Sequence, residues 1–532
     1  MLGLALLPLV PEFYLALRMD AGLKAFAPIA YYECIVSYVL LAPALMFNRA
    51  WSRFWVSLVG GIMAVATVIA CWQPVSVGAR WDSTAHTALF QTNPGVAWSY
   101  LLAFVQWRNL GWILLLLGGF AVCLGVNLRS AFPSRRIAWG GLTVGFLLAG
   151  FGLHNMIRYD GWPFREVPMG GGKTLQIAEM GLNKYHPVTM LAVTHYNFKV
   201  TLDFYLQSFR RVAEHKADFQ GAASVPGATM PRLVVVVVGE SAGRRHWSMY
   251  GYGRETNPRL KALEDELLLF TDVISPSVGT QDELRAMFTT DFHSLPVFPL
   301  FSAAGFKTHW LSAQFNQRAS HVMIASLIQS CDEHRFLSGA YDEDLLPFLA
   351  KAADEPGRHI IFLHLFGSHV RYQDRYPAAF AVFQGQSEKD RRLAAYDNSI
   401  RYTDHVLAEL IETLRQRKEA SCLIYFSDHA EDVYDSDPDN YLFRSDALAT
   451  NAMYEVPFVV WFSPEYRQHN PGFVEAAALG RDREIMTTAL YHGLIDLARF
   501  THPVYDSRRS VFSPDFVAKP RRVGAMNRVY TK

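Results

Sequence analysis

Apolar positions follow two regimes along the chain. Over the first 156 residues they form long, charge-poor runs at 2–17, 25–47, 54–72, 110–127 and 137–153. A helix needs about 20 apolar residues to cross a bilayer. The second and third runs reach that length and the fourth nearly does. The first is interrupted by Pro11 and Glu12. A signal peptide would be short in the same way, but the small-residue cleavage pattern is not evident, so a retained helix is expected. From Pro231 onward the pattern changes. Short apolar runs predict strands at 233–238, 268–273, 307–311, 360–364, 422–427 and 458–462, with helical periodicity between several of them, notably over 394–417. Such alternation predicts a mostly parallel sheet covered on both faces.

Three parts are therefore expected: an α-helical transmembrane bundle of about five helices over 1–156, a connector over 157–230, and an α/β domain over 231–532. The connector holds a glycine-rich loop, "PMGGGK", and the stretch "HYNFKVTLDFYLQSFRRVAEHK". The latter reads as an amphipathic helix at the membrane interface, or equally as a plain surface helix. Short loops carrying Arg49, Arg53, Arg129, Arg135 and Arg136 are placed in the cytoplasm. Arg18, Lys24, Arg80 and Arg108 fall on the other side. Five spans then put everything after about Arg158 outside the cytoplasm.

Composition narrows the classes. Hydrophobic residues make up 51% and charged residues 19%, with a net charge of +1. No basic field exists to grip nucleic acid, so no nucleic-acid partner is expected. Of five cysteines, Cys34, Cys71 and Cys123 fall in or beside the membrane runs. Cys331 and Cys422 allow at most one disulfide in the outer part, and the absence of a CxxC pair argues against a thiolate zinc site.

The chemistry gathers where strands end. Ligands of open α/β sheets collect at the carboxyl ends of strands. The valine run ends in Gly239, Glu240 and Ser241. "CLIYFSDHAE" ends in Asp428, His429 and Glu431, and "IIFLHLFGSH" supplies His364 and His369. After Val273, "ISPSVGTQDEL" offers Ser275, Ser277 and Thr280 ahead of a helix. An unpaired buried glutamate is costly, so Glu240 needs a cation or strong donor. Glu, Asp and His together suit a zinc-type ion. Thr280 at a helix start is a candidate nucleophile beside free backbone N–H groups. It is equally a candidate cap, with Glu283 three residues on as in a capping box.

Those same segments resemble a known family. "GESAGRRHWSMYGYGRETNP" (239–258), "SVGT", "GSHVRYQDRYP" (367–377), "YDNSIRYTD" (396–404), "SDHAE" and "YEVPFVVWFS" are similar, in order, to the motifs of the membrane phosphoethanolamine transferases of the alkaline phosphatase and sulfatase superfamily. The resemblance covers about half the chain, and "QTNP" (91–94) echoes the family's outer loop. It implies five membrane helices and a periplasmic sulfatase-like catalytic domain in a bacterial inner membrane. It also implies one zinc ion, held by Glu240, Thr280, Asp428 and His429, with Thr280 as nucleophile. His369 is implied to contact the phosphate, and His364, Asn398 and Glu431 are expected to line the substrate site. The implied donor is phosphatidylethanolamine and the acceptor a lipopolysaccharide, lipid A or other envelope glycan, with the protein acting as a monomer at the lipid bilayer. Three departures stand out. The outer domain lacks the several disulfides of many members, no histidine follows "SDHAE" within "VYDSDPDNYLFRS", and no glutamate lies near Val96.

Rival readings are a phosphoglycerol transferase or phosphodiester hydrolase of the same fold, and a non-catalytic membrane scaffold or sensor. A sulfatase activity is disfavoured because no C/S-x-P-x-R segment occurs. "WDSTAH" (81–86) and Glu33 within the second run are read as incidental and as undecided, respectively.

Overall fold

A computed structural model describes residues 4, 6–9, 34–46, 48–77, 107–129, scattered positions between 136 and 150, 164–168, 174–178, 195–196 and 199. In the C-terminal part it describes 219–289, 296–314, 327–337, 341–439, 441–444, 449–524 and 528–532. Most of the amphipathic stretch after His195, Glu33, and the "WDSTAH" and "QTNP" segments lie outside the described residues. The chain divides into two compact units, Met1–Phe90 with Leu101–Phe204, and Gln91–Tyr100 with Tyr205–Lys532.

In the first unit two long helices, α1 (Arg49–Val77) and α2 (Trp107–Arg129), pack against each other. Arg49 and Arg53, expected in a loop, ride on the opening turns of α1. Val56, Val59 and Met63 of α1 meet Leu116 and Phe120 of α2, with Leu4 and Leu41 in the same cluster. Their other faces expose Phe54, Leu58, Ile62 and Val65, and Leu114, Leu115 and Val122. So broad an apolar exterior would be a liability in water and is at home in lipid. Among the described residues one helix, within Arg49–Ala70, is long and apolar enough to cross a membrane, and shorter apolar helices lie at Cys34–Met46 and Ile113–Val126. The glycine-rich loop of the connector is flanked by an antiparallel pair, Phe164–Pro168 with Thr174–Ala178.

The second unit is built on a seven-stranded sheet: β1 (Leu233–Gly239), β2 (Leu267–Leu269), β3 (Phe306–Ser312), β4 (Glu333–Phe336), β5 (Arg358–His364), β6 (Ser421–Ser427) and β7 (Phe458–Phe462). Their spatial order is β2-β7-β6-β1-β5-β3-β4. Only β7 runs against the rest, pairing antiparallel with both β6 and β2. The predicted strand at 268–273 is broken. Its start forms β2, while Val273–Ile274 leaves the sheet to pair with Ile485–Met486. β4, whose sequence "EHRF" is polar, had no apolar signal.

β1 explains its own sequence. Val234, Val236 and Val238 enter one hydrophobic cluster and Leu233, Val235 and Val237 the other. A central strand buried on both faces has no polar side, hence the unbroken valines. The first face is covered by helix α3 (Thr280–Phe288), through Leu284, Met287 and Phe288. The second is covered by α4 (Leu346–Asp354) and α5 (Glu388–Gln416). α5 opens with a capping box between Ser387 and Asp390 and buries Ile400, Leu407, Leu410 and Leu414 at helical spacing. Cys331 and Cys422 are buried free thiols.

Candidate active site

Strand register assembles the site. β6 pairs with β1 so that Ser427 sits opposite Gly239, and β5 pairs with β1 so that His364 sits opposite Val238. Glu240 and Asp428 are thus each one residue beyond adjacent strand ends, in step. Two glycines permit the close approach. A Cβ on Gly239 would lie 2.6 Å from the Tyr425 hydroxyl, and one on Gly367 would lie 2.7 Å from the Glu240 carbonyl oxygen. Gly367 has φ +50°, and Ser241 takes φ +60° as the chain turns away from Glu240. Non-glycine residues in that region are strained and concentrate at functional sites.

Glu240, Asp428 and His429 come together, all buried. His429 Nε2 lies 3.3 Å from Glu240 Oε1 and 3.4 Å from Asp428 Oδ2. Thr280 Oγ1 donates to Glu240 Oε2 at 3.1 Å and lies 3.3 Å from His429 Nε2. Thr280 is the first residue of α3 and Gly279 takes the cap position. The capping box expected there does not form. Glu283 is buried and instead accepts from Ser277 N and the Thr487 hydroxyl. Ser275 donates to the Ser277 and Tyr454 carbonyls and Ser277 Oγ accepts from Gly279 N, so of these three hydroxyls only Thr280 faces the cluster.

The donor set fits a divalent cation on three counts. One ligand atom each from Glu240, Asp428 and His429 lie within 4.8 Å of one another. Asp428 Oδ2 is buried with no hydrogen-bond partner, whereas Oδ1 accepts from Ser241 N and His429 N at 3.1 and 2.7 Å. His429 Nδ1 faces the Ala430 carbonyl at 3.2 Å, as the outer nitrogen of a metal-ligating histidine commonly does, and Nε2 is turned toward the carboxylates. Burial, together with the charge of Glu240, pushes the Asp428 carboxyl up to about 6. Burial acts the same way on Glu240, but the hydrogen bond and charge of His429, with His369 and Arg444, outweigh it and hold that carboxyl well below its ordinary value.

The remaining expected residues divide. His364 is buried beside the cluster, its Nδ1 3.1 Å from Ser312 Oγ and its Nε2 3.1 Å from Gln314 Nε2. Burial lowers its pKa to about 4. His369 packs at a tilt against Phe366, and burial lowers its pKa to about 3 against the opposing charge of Glu240. Glu431 is buried, accepts from the Tyr372 hydroxyl, and keeps Oε1 unpartnered; burial raises it to about 7. Asn398 is engaged elsewhere. Its amide binds the Phe383 backbone at 2.8 and 2.9 Å and the Tyr376 hydroxyl at 3.4 Å, pinning a loop rather than meeting the cluster.

Three further residues belong here. Gln314 donates to Glu240 Oε2 at 3.1 Å. It lies two residues past the end of β3, where the strand-end rule would have found it. Arg444 touches His429 Nε2 and lies 3.5 Å from Glu240 Oε1. It sits in the segment that lacks the family histidine and brings a positive charge from the same stretch. Asp342 accepts from Phe366 N and Gly367 N at 2.7 and 3.0 Å, holding the loop that carries His369; nothing in the sequence signalled it.

The sulfatase family model matches residues 232–498. The chain belongs to the sulfatase family. Within this sulfatase-family protein, similarity extends beyond the catalytic unit. It is 27% identical to phosphoethanolamine transferase EptC of Escherichia coli over 525 residues, covering 92% of this chain and 87% of the relative. The crystal structure of the C-terminal periplasmic domain of the Escherichia coli EptC, in complex with Zn, matches with 28% identity and a TM-score of 0.53, covering 58% of this chain and 93% of that one. The integral membrane lipooligosaccharide phosphoethanolamine transferase A of Neisseria meningitidis shares the fold over 96% of this chain and 97% of its own, at 17% identity and a TM-score of 0.66.

Proposed function

We propose that the protein transfers phosphoethanolamine from phosphatidylethanolamine to an envelope acceptor, a lipid A, lipopolysaccharide core or other glycan, by way of Thr280. The observation that carries this reading is the Thr280 hydroxyl, on the first turn of a helix, facing a buried carboxylate at 3.1 Å and a buried imidazole at 3.3 Å. The EptC likeness over nearly the whole chain supports the substrate class.

Glu240, Asp428 and His429 would hold one zinc ion, with Thr280 Oγ1 as a further ligand. Zinc there supplies Lewis-acid charge, which lowers the pKa of a hydroxyl and offsets charge growing on a phosphoryl group. Glu240 Oε2 accepts the Thr280 hydrogen and aims the oxygen. In the first displacement the Thr280 Oγ1–phosphorus bond forms and the bond to the diacylglycerol oxygen breaks, with one proton passing from Thr280 to the diacylglycerol. In the second, the acceptor oxygen bonds to phosphorus, the Thr280 bond breaks, and the acceptor's proton returns to Thr280. The backbone N–H groups opening α3 and the Arg444 guanidinium face the phosphoryl oxygens. His369, neutral at ordinary pH, serves as a hydrogen-bond donor rather than a general acid.

A membrane bundle of about five helices keeps this site at the bilayer that holds the two-tailed donor, and the catalytic unit faces the periplasm of a bacterial inner membrane. The lipid-suited exteriors of α1 and α2 and the fold shared with an integral membrane protein support that placement. Mass spectrometry of lipids and envelope glycans tests the reading in cells carrying the protein or Thr280→Ala. Phosphoethanolamine gained only with the intact protein is the expected result; equal gain with both refutes Thr280 as nucleophile.

A further inference from the structure

We propose that the opposite edge of the sheet holds a second divalent-metal site, formed by His309, His359 and Glu355. Parallel pairing sets Lys307 of β3 beside His359 of β5, and His309 of β3 beside Glu333 of β4. With a side-chain period of two, these four residues share one face at the amino ends of the strands. Glu355 follows the last turn of α4 over that face. The two imidazoles are 1% and 0% exposed.

The outer nitrogen of each ring faces an acceptor. His359 Nε2 lies 3.0 Å from the Glu355 carbonyl oxygen, an acceptor, so that nitrogen holds a proton. His309 Nδ1 lies 3.4 Å from Glu333 Oε2, again an acceptor. His359 Nδ1 therefore presents a lone pair inward, and His309 Nε2 does the same when the His309 proton sits on Nδ1 beside Glu333. Those inner atoms, His309 Nε2 and His359 Nδ1, are 2.9 Å apart. At that spacing His309 donates to His359 Nδ1 when its proton sits on Nε2, so an ion that enters there displaces one proton. A metal ion there would take both inner lone pairs, with Glu355 as a third donor.

The surroundings match a metal's outer shell. Ligating histidines commonly donate their other N–H to a carboxylate or a backbone carbonyl; His359 Nε2 bonds the Glu355 carbonyl, and His309 Nδ1 has the Glu333 carboxylate 3.4 Å away. One atom from each of His309, His359 and Glu355 falls within 4.8 Å of the others. Lys307 Nζ bonds Glu355 Oε2 and Glu333 Oε1, each at 2.6 Å, and so orients both carboxylates. Two imidazoles and a carboxylate with a fourth position open suit zinc. His359 and His364 stand at opposite ends of β5, about 16 Å apart at strand rise. The site shares no residue with the Thr280 cluster and does not rest on the transfer reaction. It would staple β3, β5 and the end of α4.

The test uses the full chain in detergent. Asp428→Asn with His429→Gln dismantles the first cluster, and bound metal is counted by mass spectrometry after zinc loading and desalting. One zinc per chain is expected, falling to none when His359→Gln is added. Cobalt loading should give a visible absorption band lost with the same change. No zinc in the double variant, or one zinc kept after His359→Gln, overturns the proposal. Glu355→Gln in the otherwise native chain probes the site without touching the buried pair, since that side chain is 34% exposed. Zinc affinity of the second equivalent should fall at least tenfold, and an unchanged affinity overturns the site.

Discussion

Asp342 offers a test of how the His369 loop is held. Its two carboxylate oxygens accept from the N–H groups of Phe366 and Gly367, at 2.7 and 3.0 Å, and the side chain is buried. The next residue, Ser368, donates its N–H to the Glu240 carbonyl at 2.8 Å. The loop is therefore tied at one side to Asp342 and at the other to the backbone of a proposed metal ligand. Asp342→Asn keeps the shape but turns one acceptor into a donor, so one buried N–H loses its partner, at a cost of about 1–3 kcal/mol. Asp342→Ala strands both, and the cost roughly doubles. At about 2–4 °C per kcal/mol for a domain of this size, Asn should lower the melting temperature by several degrees and Ala by more. Transfer should slow in the same order, because His369 loses its fixed position. Thermal melts and transfer rates of the two variants in detergent, with lipid product counted by mass spectrometry, give both readouts. An Ala variant that melts with the native protein would show that the loop does not depend on these two bonds. A variant that melts lower but transfers normally would break the link to His369.

Other expectations are as direct. Gly367→Ala combines a left-handed φ with a Cβ 2.7 Å from the Glu240 carbonyl oxygen. It should destabilise by more than about 1 kcal/mol and reduce metal binding at the Thr280 cluster; zinc titration showing native affinity would contradict this. Arg444→Gln removes a charged donor beside Glu240 and should slow transfer about 10²-fold with little change in melting, whereas native turnover would remove Arg444 from the mechanism. Burial raises the Asp404 carboxyl from 3.8 to about 6. The folded chain then holds that proton more tightly than the unfolded chain does, so its contribution to stability falls as pH rises from about 4 through 6. Asp404→Asn should flatten that slope in a pH series of melts, and a slope identical to the native one would exclude Asp404 as its source.

Much of this site was legible because its residues obey a local rule. Glu240, His364, Asp428 and His429 follow apolar runs directly, and a strand end beneath a helix-covered sheet leads to a ligand edge wherever the sheet is parallel. Thr280 was legible as a hydroxyl at a helix start, though its competing role as a cap was settled only by Gly279 taking that position. Asn398 lies in a segment similar to a family motif, but its amide serves a loop, which only the fold could show. Asp342 and Arg444 were not legible. Each acts on residues reached only through folding, Asp342 on a loop 24 residues away and Arg444 on Glu240.

Hydrophobic spacing alone decided that two regimes of apolar pattern exist, one suited to lipid and one to a buried sheet, since that spacing reports which faces avoid water. It also decided which residues end the strands. Tertiary structure decided which strand ends are neighbours. Register between β1, β5 and β6 is a cooperative property of the whole sheet, and it alone set Glu240 in step with Asp428. The same register, read at the other edge, brought His309 and His359 to 2.9 Å across 50 residues of chain. No local pattern could have announced that meeting, because each histidine, taken alone, is simply a buried ring on a strand.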